Sequence, residues 1–151
     1  MTEVSFYHLQ KASLEEALPI LLEKTLDAGK RALVLTGSDA QVEQLNKALW
    51  SSRQDSWLPH GAKNDGRGED QPIWLTAIDE NPNAATFMFL TNGASGGDLG
   101  VFERCFDLFD GNDTAQVTAA RERWKACRDA GYRLKYLQQT DSGGWQEKAT
   151  G

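Results

Sequence analysis

At 151 residues the chain has room for one domain with a proper core and too little for two. Its hydrophobic fraction of 40% and charged fraction of 25% are those of a soluble globular protein, and no apolar run is long enough for a membrane span. A net charge of -6 argues against broad, non-specific binding to nucleic acid, which needs many phosphate contacts.

The start, MTEVSFYHLQK, lacks a basic region followed by an apolar core, so no signal peptide is read and the expected compartment is the cytoplasm. Residues 4–9 form the first predicted strand. A helix follows, with Ser13 and Glu16 at capping-box spacing, leucines at 14, 18, 21, 22 and 26, and Gly29 as the stop. Pro19 lies inside this pattern and predicts an irregular first part. Residues 31–36 read as a buried strand, and Ser38 or Asp39 caps a second helix through Trp50. The polar stretch 51–71 reads as a loop.

Residues 73–78 and 86–90 are short strands, TNGASGGDLG (91–100) is a flexible connector, and 101–109 is a strand. Asn112 or Asp113 caps a last helix that runs to about Ala130, with Gly131 as its stop, and 133–138 is the final strand. The predicted fold is a single Rossmann-like α/β domain over residues 1–138, mostly parallel with helices on both faces, followed by a flexible tail over 139–151. The two neighbouring middle strands leave room for an antiparallel edge.

Motifs for catalysis are absent. The turn after the first strand reads Gln10-Lys11-Ala12-Ser13 without GxGxxG, and the 93–100 segment has glycines but no GxxxxGK[ST] lysine. His8 and His60 stand in no HExxH or His/Cys cluster, so no metal or other cofactor is expected. Cys105 and Cys127 form no CxxC pair and read as small buried hydrophobes. The enzyme reading that stays open is a small nucleotide-dependent one at the carboxyl edge of the sheet, near Gly37 or residues 93–100.

The last helix is more informative. The acidic chain carries +4 between Arg121 and Lys135, which leaves -10 elsewhere. At steps of about 100°, Arg121, Trp124, Lys125 and Arg128 share one stripe, with Val117, Ala120 and Cys127 beside it facing the core. Trp124 lies at the border, partly packed, with cations on its other flank. Such a stripe fits an acidic peptide ending in an aromatic residue, or single-stranded nucleic acid, or a plain solvated helix face. Trp50 and Trp57 bracket the end of the second helix and its loop, either as a satellite core cluster or as a patch that anchors a partner.

These pieces, in order, resemble the chi subunit of the bacterial DNA polymerase III holoenzyme: Phe6-Tyr7, Gly29-Lys30-Arg31, Ala48-Leu49-Trp50, Ser56-Trp57-Leu58-Pro59-His60, Pro72-Ile73, Phe109-Asp110-Gly111, and Ala120-Arg121-Glu122-Arg123-Trp124-Lys125 with Gly131-Tyr132. The resemblance implies a Rossmann-like fold without nucleotide chemistry and a non-catalytic adaptor. It implies that Arg121, Trp124 and Lys125 receive the acidic, phenylalanine-ended C-terminal tail of single-stranded-DNA-binding protein; Arg128 continues the same stripe. It further implies that Trp50 and Trp57 meet the psi subunit, the link to the clamp loader, or a helicase that competes for that surface. Trp124 stands where a tyrosine also occurs in the family, and the 93–100 connector and the tail have no counterpart in it.

Overall fold

The computed structural model describes residues 2–51, 60–62, 68–91, 93–94, 98–140, 142 and 144–150, apart from the side chains of residues 50, 51, 149 and 150. Eight strands form one sheet: β1 (Glu3–Leu9), β2 (Ala32–Leu35), β3 (His60–Ala62), β4 (Ile73–Thr76), β5 (Phe87–Leu90), β6 (Arg104–Asp110), β7 (Arg133–Gln139) and β8 (Trp145–Thr150). Their spatial order is β3-β4-β2-β5-β6-β1-β7-β8, parallel from β3 to β7. Three helices complete the fold: α1 (Leu14–Asp27), α2 (Asp39–Ser51) and α3 (Thr114–Asp129).

The interior strands are apolar on both sides because both faces are covered. Tyr7, Val34, Ile73, Phe89 and Phe106 pack with Leu18 and Leu22 of α1 and with Leu45 and Leu49 of α2. On the other face Val4, Phe6, Leu33, Met88, Cys105, Phe109 and Leu134 pack with Ala120 and Cys127 of α3. Helices therefore lie on both faces, as the sequence predicts.

The helix ends follow from local chemistry. The Ser13 side chain accepts the Glu16 N–H while the Glu16 carboxylate accepts the Ser13 N–H, so both halves of the capping box form. Pro19 sits buried inside α1 without ending it. Gly29 and Gly131 adopt φ of +75° and +85°, the left-handed region open to glycine, and each closes its helix with a paired Schellman pattern. At the end of α3, Gly131 donates to Arg128 and Tyr132 donates to Cys127, which turns the chain directly into β7.

Four differences from the sequence reading have physical causes. Residues 60–62, read as loop, form β3 alongside β4; three residues reading His-Gly-Ala carry no alternation to announce a strand. The strand read from 101 begins at Arg104, because Asp98 caps a 3-10 turn over Leu99–Val101 by accepting the Gly100 N–H. The tail read as flexible supplies β8, antiparallel to β7, with Trp145 edge-on to Tyr7 at 5.0 Å. Its polar sequence, WQEKAT, shows no apolar period; pairing with β7 and the contact of Trp145 with Tyr7 hold it instead. Consequently the antiparallel edge lies at β8 and not among the middle strands.

Candidate functional site

α3 starts where Asp113 accepts the backbone N–H groups of Ala115 and Gln116, an N-cap that matches the sequence reading. The helix returns the chain from β6 to β7 and crosses β1, which lies between them. Ala120 and Cys127 are buried, while Val117 and Trp124 are half-buried against the same cluster, the arrangement that helical spacing predicts. Trp124 is fixed from two sides, edge-on to Phe6 at 5.3 Å and to Tyr136 at 5.8 Å. Ring pairs of this kind add about 1 kcal/mol beyond area burial, so the indole is a rigid platform.

Arg121, Lys125 and Arg128 are exposed on the outer side of that indole. Among the described residues, Arg121 and Lys125 make no ion pair, and Arg128 approaches only its neighbour Asp129, at 3.9 Å, with both side chains mostly in solvent. The stripe thus offers three cations with little internal compensation. Trp50 belongs by its backbone to the last turn of α2, its side chain lies outside the described residues, and so does all of Trp57.

The neighbouring Arg123 behaves differently. Its Nε and Nη2 donate to the two oxygens of Asp107 at 2.6 and 3.0 Å, and Asp107 is only 2% exposed. Burial pushes the Asp107 carboxyl above the ordinary range, and the Arg123 fork pulls it back in part. Sequence reasoning missed this pair, although signals existed: Asp107 is the one acid inside the apolar run CFDLF, and Arg123 lies at i+3 from Ala120 and i-4 from Cys127. A carboxylate there needs a fixed partner.

Two more residues that the sequence reading left out of the site adjoin the stripe. Tyr136 shares the α3 side of β7 with Leu134, and His8 shares the same side of β1 with Phe6. The His8 Nδ1 and Tyr136 Oη are 2.6 Å apart, and Arg121 acts electrostatically on both. Both thiols are buried, with Cys105 pushed up to about 12 and Cys127 to about 11 by desolvation, so both are held as neutral thiols.

The carboxyl ends of β1 and β6 flank a crevice of about 420 Å³, the position where open α/β sheets hold ligands. Here, however, the N–H groups of Gln10, Lys11 and Ala12 all point at one atom, the Oε1 of Gln139, at 3.2, 2.7 and 2.9 Å. A side chain from the end of β7 thus fills the place of an anion. Among the described residues no group of three His, Cys, Asp or Glu could hold a metal, and no helix is long and apolar enough to cross a membrane.

A sequence model of the family described as DNA polymerase III chi subunit, HolC, matches residues 1–135. The chain belongs to that family. It is therefore a member of a family of accessory subunits of a bacterial replicative DNA polymerase. The Escherichia coli (strain K12) DNA polymerase III subunit chi is 24% identical over 142 residues, covering 89% of this chain and 96% of that protein. The Pseudomonas aeruginosa PAO1 subunit chi is 25% identical over 138 residues, covering 89% and 95%. The probable DNA polymerase III subunit chi of Rickettsia prowazekii (strain Madrid E) is 33% identical over 90 residues, which span 60% of this chain and 54% of that relative. The family match ends before most of β7 and all of β8.

Proposed function

We propose that this chi-family chain is a non-catalytic cytoplasmic adaptor that binds the acidic C-terminal tail of single-stranded-DNA-binding protein through Arg121, Trp124, Lys125 and Arg128. The observation that carries the reading is the stripe itself: three exposed cations ranged beside an indole locked by Phe6 and Tyr136. Arg121 forks the terminal or side-chain carboxylates, Lys125 and Arg128 add positive charge, and the terminal phenylalanine lies on Trp124. An exposed multi-cation site of this size implies a Kd in the micromolar range, near about -8 kcal/mol, that weakens as salt rises.

Two rival readings are less well supported. A nucleotide would have to displace Gln139 from the three N–H groups that follow the carboxyl end of β1. Single-stranded DNA would meet a chain whose remaining charge is strongly negative. The second half of the proposal, that Trp50 and Trp57 engage psi or a competing helicase, rests on the family resemblance and on the position of Trp50 at the end of α2. Titration of a labelled tail peptide tests the first half. Saturable binding that is lost when the terminal phenylalanine is removed supports it, and equal binding without the phenylalanine contradicts it.

A further inference from the structure

The register of the three strands under α3 places a polar pair at the edge of the cation stripe. Phe6 pairs with Tyr136, while His8 pairs with Phe109 on one side and Gln138 on the other. The imidazole is held on several sides. The Phe109 ring lies edge-on at 5.2 Å, and Tyr136 Oη approaches Nδ1 at 2.6 Å. Gly111 abuts the Cδ2–Nε2 side so closely that any side chain there would overlap the ring.

We propose that His8 and Tyr136 form the polar floor of the tail-binding site, and that the acidic peptide binds with uptake of one proton by His8. The proposal rests on the reading above that Arg121 receives a carboxylate. In the neutral tautomer with the proton on Nε2, the side of the ring that lies beside the Gly111 backbone, the bare Nδ1 takes the Tyr136 hydroxyl hydrogen, and only phenolic lone pairs face an incoming anion. Once His8 takes a proton from solvent, Nδ1–H donates to Tyr136 Oη instead. The phenolic hydrogen is then free to turn toward a carboxylate held on Arg121. Two effects favour the protonated state in the complex: attraction between imidazolium and anion, and the hydrogen bond that Tyr136 gains.

The charged groups facing His8 agree on the sign. Burial lowers its pKa first, Arg121 from α3 lowers it further, and the Gly111 backbone and Asp110 at the end of β6 raise it, with the net result below the ordinary value. Tyr136 from β7 stays protonated, since burial raises its pKa above the ordinary value. An anion seated on Arg121 cancels the repulsive term, so the pKa of His8 rises on binding. Affinity is therefore weakest above both values, increases as pH falls through the bound-state pKa, and levels off below the free-state pKa. Peptide carboxylates titrate near about pH 4, so the effect above about pH 5.5 belongs to the protein.

The test is a calorimetric titration of an acidic peptide ending in phenylalanine, at about pH 8 and about pH 5.5 in two buffers of different ionisation heat, with a maximum possible gain of about tenfold per pH unit for one proton. The wild type should bind about three- to tenfold tighter at the lower pH and take up as much as one proton. His8→Gln should lose that gain entirely, and Tyr136→Phe, which keeps the imidazolium but not the hydroxyl, should lose part of it. Proton NMR of the wild-type imidazole, assigned by its absence in His8→Gln, should show the His8 titration moving to higher pH when peptide is added. If the peptide binds, and Arg121→Ala weakens it at both pH values, but affinity is flat with pH or His8→Gln keeps the gain, the tail site stands and the proton coupling is overturned; a gain undiminished in Tyr136→Phe removes Tyr136 from the coupling. If no peptide binds at either pH, the tail site itself falls, and this inference with it.

Discussion

Arg121 and Arg123 lie two residues apart on one helix and have opposite physics. Arg123 points inward to a carboxylate that is almost wholly buried, with both of its forked bonds made. Arg121 points outward, beside Trp124, and finds no ion-pair partner among the described residues. The first is committed to the fold, and the second is available to a partner. A helix turn of about 100° per residue is all that separates the two uses, so charge counted along the sequence says little until the helix is phased.

Substitutions that separate stability from binding sharpen this contrast. Arg123→Ala leaves Asp107 buried without its partner and should destabilise the fold by about 3–5 kcal/mol in urea unfolding. Loss of peptide binding in Arg123→Ala while the protein is fully folded would erase the distinction. Trp124→Ala is the mixed case, since the ring both packs on Phe6 and Tyr136 and faces the ligand. It should cost about 2–3 kcal/mol of stability and weaken the peptide as well. Lys125→Ala removes one exposed point charge and should reduce peptide affinity by only about 0.5–1 kcal/mol, an effect that vanishes at high salt. The smallest effect is chemical: Cys105 and Cys127, buried and held as neutral thiols, should react with iodoacetamide slowly in the native state and rapidly after unfolding.

The helices and the interior strands were legible because their signals are periodic or local. Ser13 with Glu16, Asp113, Gly29 and Gly131 mark helix ends through capping that needs no tertiary context. The burial of Ala120 and Cys127 and the border position of Trp124 followed from helical angle alone. What stayed hidden depends on partners distant in the chain. β8 is held by pairing with β7, and β3 is three residues beside β4. Asp107 with Arg123 and His8 with Tyr136 are cross-element pairs whose members look ordinary until the strand order brings them together. Gln139 is the clearest case: nothing near it in sequence announces that its amide oxygen closes the turn after β1.

The account turns on Arg121 being free for an acidic partner. The most direct measurement compares tail-peptide affinity and urea midpoint for the wild type and Arg121→Ala in one buffer. The account predicts about tenfold weaker binding, roughly 1.4 kcal/mol, with an unchanged midpoint. Equal affinity, or a fall in affinity matched by a fall in stability, would contradict it.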